Sequence, residues 1–302
     1  MFDISTVGHF CIDSIILPNR KKPCTILGGS VTYTSLAAAR LGASVSIISK
    51  VGSDFPKAYL WWLDQEGVDL RAVTILDDFE TTRFELKYNE ELSSRSLRLL
   101  SRAKPITVDD IPQHLLARVF HIAPVANEVS YEVVEKLRKR ADFLSLDAQG
   151  LVRVFRKSGE AFLATPEDKR ILNFVDIYKS SEDEIKAITE THDLKAAVKA
   201  VHSFGVETVI VTLGEEGVLL SVDGTSYNVP SYKPSRLVDP TGAGDAFMGG
   251  FLTEYIHDGD SYWCACVGCA AASMVVEDVG PINLGSRDEI YRRARILYEK
   301  GV

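Results

Sequence analysis

Apolar positions along the chain fall into short runs separated by stretches of helical period. Residues 2–8 are apolar enough for a buried strand, and Ser44 to Ile48, Val119 to Pro124 and Phe143 to Asp147 repeat that pattern. Val175 to Lys179 continues it. Thr208 to Thr212 is β-branched and apolar on both faces, as a parallel strand covered from both sides must be. Helical spacing predicts helices over Val31 to Leu41, Asp54 to Gln65, Val129 to Arg140 and Asp193 to Phe204. Ser181-Glu182-Asp183-Glu184 reads as a further helix start, with Ser181 as cap and Glu184 three residues on. Ala246 to Tyr255, Ser261 to Val276 and Arg287 to Glu299 complete the set, the last with Arg and Glu at spacings that suit an exposed capping helix. This alternation predicts an α/β fold with one sheet and right-handed crossovers, as a single domain over residues 1–302. One pair of segments breaks the rhythm. Thr81 to Tyr88 and Arg95 to Leu100 alternate, are rich in Thr, Arg and Glu, and are joined through Asn89-Glu90-Glu91, which predicts a hairpin with one wet face. Residues 80–101 and 11–27 are expected to form a small lid.

The candidate chemistry gathers at Val238-Asp239-Pro240-Thr241-Gly242-Ala243-Gly244-Asp245-Ala246-Phe247-Met248-Gly249-Gly250-Phe251. Gly242 and Gly244 let the backbone turn tightly and a ligand approach closely. The helix that follows offers unpaired N–H groups and a partial positive charge, which together suit phosphate. Asp245 in the same turn would repel that anion. Its presence is explained if it takes a proton from a hydroxyl while the N–H groups of Gly242, Ala243 and Gly244 stabilise a phosphoryl group. Asp13 follows the first strand, at the edge of an open sheet where ligands bind, and is a candidate for hydrogen-bonding a polyhydroxylated substrate. The paired Gly28 and Gly29 suggest close backbone approach to a ligand, with Ser30 as the cap of the next helix. Asp147-Ala148-Gln149-Gly150 ends another strand at the same edge.

Composition narrows the partners. Of 302 residues, 46% are hydrophobic and 25% charged, enough for a sizeable core. A net charge of −8 argues against nucleic acid or an anionic membrane as the main partner. No apolar stretch is long enough to cross a bilayer, and the first residues lack the basic region of a signal peptide, so a cytoplasmic protein is expected. Five cysteines, an odd number, imply reduced thiols; Cys264, Cys266 and Cys269 lie in a small-residue helix and read as core rather than metal ligands. The six histidines show no paired ligand spacing, though His9 sits at a strand end that matters. No P-loop is present, and Phe247 stands where a dinucleotide fingerprint needs its third glycine. What remains fits phosphoryl transfer to an alcohol, with Mg²⁺ bridging the donor phosphates.

The chain resembles the ribokinase-like, or PfkB, carbohydrate kinases. Residues 239–250 resemble that family's C-terminal signature; Gly28-Gly29 with Leu41-Gly42 and Val51-Gly52-Ser53-Asp54 resemble its N-terminal one, and Thr212 to Gly217 its nucleotide-binding turn. The resemblance implies a three-layer α/β/α sandwich with a mostly parallel central sheet, a β-lid over the sugar, ATP and Mg²⁺, and a homodimer joined through the lids. It implies Asp245 as the base, Gly242 to Gly244 as the anion hole, and Thr212, Gly214 and Gly217 at the donor. It implies Asp13, Gly28 and Gly29 at the acceptor, and Asp239 and Thr241 beside a monovalent cation such as K⁺. Ser181 replaces the asparagine of the family's N-x-x-E motif while Glu184 is kept to meet Mg²⁺ through water, and Tyr33 replaces an asparagine that many sugar kinases use for their substrate. Residues 147–155, 179–184 and 279–281 resemble the plant-type myo-inositol kinases more closely. That branch implies a polyol or cyclitol acceptor met by Gln149 and Arg153. A nucleoside (cytidine-like) or ribose-type acceptor is the alternative, and a non-catalytic sensor is disfavoured by the intact base and glycine turn.

Overall fold

The computed structural model describes residues 1–301. The first apolar run forms β1 (Phe2–Val7), and the chain then leaves the main sheet as an antiparallel pair, β2 (Cys11–Ile16) and β3 (Cys24–Gly28). Helix α1 (Ser30–Leu41) leads back to β4 (Val45–Gly52), followed by α2 (Lys57–Gln65) and the short strands β5 (Val68–Asp69) and β6 (Val73–Leu76). β4 runs on to Gly52, beyond the predicted Ile48, because its second half pairs with β6. α2 starts at Lys57 rather than Asp54. Pro56 occupies the cap, and the Asp54 carboxylate instead accepts from the N–H and hydroxyl of Thr81 at 2.8 and 2.7 Å.

β7 (Thr82–Tyr88) and β8 (Arg95–Ser101) join the outlying pair, after which β9 (Ala117–Ile122), α3 (Tyr131–Arg138) and β10 (Ala141–Asp147) resume the sheet. One turn of helix, α4 (Gln149–Val152), runs into the hairpin β11 (Arg153–Phe155) and β12 (Ala161–Leu163). β13 (Ile177–Ser181), α5 (Glu182–Thr189), α6 (Leu194–His202), β14 (Thr208–Thr212), β15 (Val218–Val222) and β16 (Thr225–Val229) follow. Helices α7 (Ala243–Tyr255), α8 (Ser261–Val275) and α9 (Arg287–Gly301) close the chain.

The main sheet runs β16-β15-β14-β13-β10-β9-β1-β4-β5, with β6 also on β4; it is parallel except where β15 and β16 turn back. One core packs α1, α2, α7, α8 and α9 against one face, and a second packs α3, α5 and α6 against the other. The three clustered cysteines lie in α8 within the first core as free thiols, and among the described residues no group of His, Cys, Asp or Glu is arranged to hold a metal. No helix among the described residues is long and apolar enough to cross a membrane.

The outlying strands form a second sheet, β3-β2-β7-β8. In β7 the residues Phe84, Leu86 and Tyr88 alternate with more exposed ones. They pack with Cys11, Ile15, Val125 and Val279 in a third, smaller cluster. This sheet therefore turns one apolar face toward the carboxyl ends of the parallel strands, the edge at which open α/β sheets bind ligands.

Candidate active site

The glycine turn forms as its sequence requires. Gly242 caps α7 with φ of 80°, and a Cβ there would overlap the ring of Tyr33, which is fully buried beneath it. Asp245 lies in the first turn of α7. Both of its side-chain hydrogen bonds use Oδ1, which accepts from Ser30 Oγ and, at 3.2 Å, from Gln149 Nε2. Thr34 Oγ1 donates to the Asp245 carbonyl at 2.9 Å, so the first turns of α1 and α7 are locked together. The cap of α1 is Gly29, not Ser30; the Ser30 hydroxyl goes to Asp245 and accepts from Gln149 Nε2 at 2.7 Å.

Asp13, Gly29, Tyr33, Gln149, Arg153, Thr241, Gly242 and Asp245 line one pocket between the sheet edge and the outlying strands. Gly28 does not line it. A Cβ at Gly28 would overlap the Asp13 carboxylate, so the residue is needed to give that carboxylate room. Asp13 Oδ1 and the Tyr33 hydroxyl are buried without a hydrogen-bond partner among the described residues. Burial pushes the Asp13 carboxyl up to about 7; Arg95 and Arg153 oppose that shift, and Asp239 and Asp245 add to it. The outlying sheet contributes Phe84, Leu86 and Leu97 as an apolar wall, and Leu86 faces Leu97 across the strands. It also contributes Arg95, whose Nη1 donates to Tyr88 Oη at 2.8 Å; Tyr88 in turn shares a 2.8 Å hydrogen bond with Thr241 Oγ1.

A second group of predicted residues lies along the neighbouring sheet edge. Ser181 stands opposite Thr212 in the β13–β14 register. The capping box is complete: Ser181 N donates to Glu184 Oε2 at 2.8 Å, and Glu184 N donates to Ser181 Oγ at 3.3 Å. Glu184 also lies 3.9 Å from Arg153, linking this edge to the pocket. The space beside Gly214 is open, whereas Gly217, with φ of 100°, shapes the turn by accepting from Leu213 N at 2.8 Å. Asp239 is closed off from solvent, and its oxygens accept from Thr241 N at 2.9 Å and Gly280 N at 3.3 Å. The Ala243 N–H turns back to the Pro240 carbonyl at 3.4 Å. Gly244 has Lys179 beside it, and Lys179 pairs with Asp147 at 2.7 Å.

Ser30, Lys179, Tyr88, Arg95, Leu86 and Leu97 were not legible as site residues. The Ser30 partner lies 215 positions away in the chain. The strand residues carried a partial signal, since period-two alternation puts Phe84, Leu86 and Tyr88 on one face.

The model of the pfkB family of carbohydrate kinases matches residues 1–288. A cytidine kinase of Thermococcus kodakarensis is 32% identical over 284 residues, spanning 93% of this chain and 98% of that protein. An inositol 3-kinase of Oryza sativa subsp. japonica is 31% identical over 296 residues, spanning 91% of this chain and 68% of that protein. Among solved structures, a pyrophosphate-dependent myo-inositol-1 kinase, converted into a myo-inositol-3 kinase by exchanging one asparagine and one serine for leucine, superposes with a TM-score of 0.82 at 25% identity. The match covers 98% of this chain and 99% of that one, so the layered sheet and its outlying strands are a ribokinase-like fold. With the family's model running from the first strand into the last helix, the chain belongs to the pfkB family of carbohydrate kinases, phosphotransferases that use an alcohol group as acceptor.

Proposed function

We propose that this chain is an ATP-dependent kinase that phosphorylates a ring hydroxyl of a cyclitol such as myo-inositol, with Asp245 as the base. One observation carries the reading. Two residues that line the pocket beside Asp245, Asp13 and Tyr33, carry buried polar atoms, Oδ1 and Oη, that have no partner among the described residues, and Phe84, Leu86 and Leu97 add an apolar wall. Buried polar atoms need hydrogen bonds, and a polyhydroxylated ring supplies them. Gln149 and Arg153 border the same space and would meet further hydroxyls. The apolar pair Leu86 and Leu97 supports a specific hydroxyl. In the related myo-inositol-1 kinase, the two exchanges to leucine that produce a 3-kinase lie eleven positions apart. Leu86 and Leu97 have the same spacing and face each other across the strands, so we assign the 3-hydroxyl as the reacting group.

In this mechanism Ser30 and Gln149 hold Asp245 through Oδ1, leaving Oδ2 to accept the hydroxyl proton. The acceptor oxygen then attacks the terminal phosphorus of ATP, and the N–H groups of the Gly242–Gly244 turn stabilise the transferred charge, that of Ala243 by giving up its 3.4 Å bond to the Pro240 carbonyl. Thr212, Gly214 and Ser181 border the donor, with Gly217 shaping their turn. Mg²⁺ bound with the donor would neutralise phosphate charge, and Glu184, whose Oε2 accepts from Ser181 N, would meet it through water; among the described residues no cluster of carboxylates is arranged to hold an ion by itself. Asp239 and Thr241 would border a monovalent ion such as K⁺. The bonds of Asp239 to Thr241 and Gly280 hold the turn without one. We further propose a homodimer joined through the outlying sheet, where Leu100 of β8 is 52% exposed.

A cytidine-like or ribose-type acceptor is the second reading, favoured by the 32% identity to a cytidine kinase. The test is a panel of cyclitols, sugars and nucleosides with ATP and Mg²⁺, read by ADP release. Myo-inositol is expected to be turned over best. Turnover confined to cytidine or ribose overturns the cyclitol assignment, and none on any acceptor overturns the kinase reading for this chain.

A further inference from the structure

Lys179 has no part in the chemistry described so far, yet it stands beside the glycine turn that carries Asp245. It faces Asp147 in the β10–β13 register, is only 6% exposed, and its Nζ donates to Asp147 Oδ2 at 2.7 Å. Such a pair adds little to stability, because removing two charges from water offsets most of their attraction. Its surroundings account for it better. A Cβ on Gly244 would lie 2.8 Å from Nζ, so the ammonium sits directly against the first turn of α7, where the transferred anion is expected. Asp147 also accepts from Gln149 Nε2 at 3.3 Å, and the same nitrogen bonds Asp245 Oδ1, so the lysine and the base share one network. Burial acts to lower the lysine pKa, but Asp147, Asp245 and Glu184 together raise it above its usual value, and the side chain stays charged. An ammonium has three N–H donors; Asp147 takes one, which leaves two for a ligand.

We propose that Lys179 is a catalytic residue of the phosphoryl transfer, its Nζ bonding an oxygen of the transferred group beside the N-terminus of α7, and that Asp147 is the positioning residue that aims it. The assignment rests on the kinase reading above. As the bond from the acceptor oxygen to the terminal phosphorus forms, the bond from that phosphorus to the bridging oxygen of ATP breaks. The electron pair of the broken bond leaves with ADP, and the acceptor proton passes to Asp245. Lys179 keeps its protons throughout and supplies fixed positive charge to the equatorial oxygens. A lysine present only to balance nearby carboxylates would not respond to the transferred group.

The test compares the full chain with Lys179→Met, Lys179→Arg and Asp147→Asn, measuring kcat, KM for ATP and for the best acceptor, and melting temperature. Thermal shifts are recorded with Mg·ADP alone and with Mg·ADP plus aluminium fluoride, which mimics the transferred group. Lys179→Met is expected to lose about 10²–10³-fold in kcat, as for removal of one oxyanion donor, with acceptor KM within about threefold. It should keep the ADP shift and lose the increment from aluminium fluoride. Lys179→Arg should keep part of both, and Asp147→Asn should lose part of kcat. If Lys179→Met does not fold, Lys179→Arg carries the test: an unchanged kcat overturns the assignment. A Lys179→Met enzyme with kcat within about fivefold of wild type, or with the fluoride increment intact, overturns it as well. Wild-type protein without turnover on any acceptor overturns the kinase reading instead.

Discussion

At Asp13 the demands of folding and binding oppose each other. The carboxylate is closed off from water, Oδ1 has no partner among the described residues, and burial pushes its pKa from 3.8 up to about 7. Between those values the folded chain binds more proton at this site than the unfolded chain, so the contribution of Asp13 to stability falls as pH rises through the window. An acceptor hydroxyl prefers the ionised carboxylate. The acceptor kcat/KM is therefore expected to rise with pH through about 7, and Asp13→Asn should lower it and remove that limb. A pH profile that keeps the same limb in Asp13→Asn contradicts the role. Asp245 was legible in the sequence because helix starts have local signatures; Asp13 was singled out as a residue following the first strand, but it lies within β2 of the outlying sheet and reaches the pocket from there. Ser30 was not legible: it reads as a helix cap, and its actual partner, Asp245, becomes a neighbour only after the fold forms.

The strands beyond the main sheet line the pocket beside Asp245, and they were legible only in part. The β7–β8 hairpin follows from its alternation, but the parallel pairing of β2 with β7 joins segments about seventy residues apart and leaves no local trace. β5 is only two residues long, and four of the five residues of β16 are exposed, so neither carries an apolar period. The β11–β12 hairpin has only three residues in each strand, yet it carries Arg153 into the pocket. At this scale the Leu86–Leu97 wall makes a definite prediction. The double variant Leu86→Asn with Leu97→Ser should move phosphorylation of myo-inositol away from the 3-hydroxyl, as read by NMR of the product. An unchanged product removes the basis for assigning the hydroxyl.

Across the whole molecule, the two cores clamp the sheet, and the site rests on the turn where α1 and α7 meet above one of them. α9, expected to be a wet capping helix, buries Arg293 instead. Its guanidinium donates to Ser273 Oγ at 2.9 Å and to Glu277 Oε2 at 3.2 Å. Helical spacing suggested an exposed face because it takes no account of α8 and the residues just after it, which bring Ser273 and Glu277 to Arg293. Glu277 Oε1 in turn accepts from Ser235 N at 2.7 Å, so α9 helps to fix the segment that leads into the glycine turn. Arg293→Ala leaves Glu277 buried without its counter-charge and is expected to cost about 3 kcal/mol, measured as a shift in the urea midpoint. A loss below about 0.5 kcal/mol, the range of ordinary surface changes, contradicts this reading.

The central claim is that Asp245 takes the acceptor proton while its neighbours hold the transferred charge, and Asp245→Asn tests it most directly. With ATP, Mg²⁺ and the best acceptor, turnover should fall by about 10³-fold while the dissociation constant for ATP stays within a few-fold of wild type. Turnover near the wild-type rate would contradict the account.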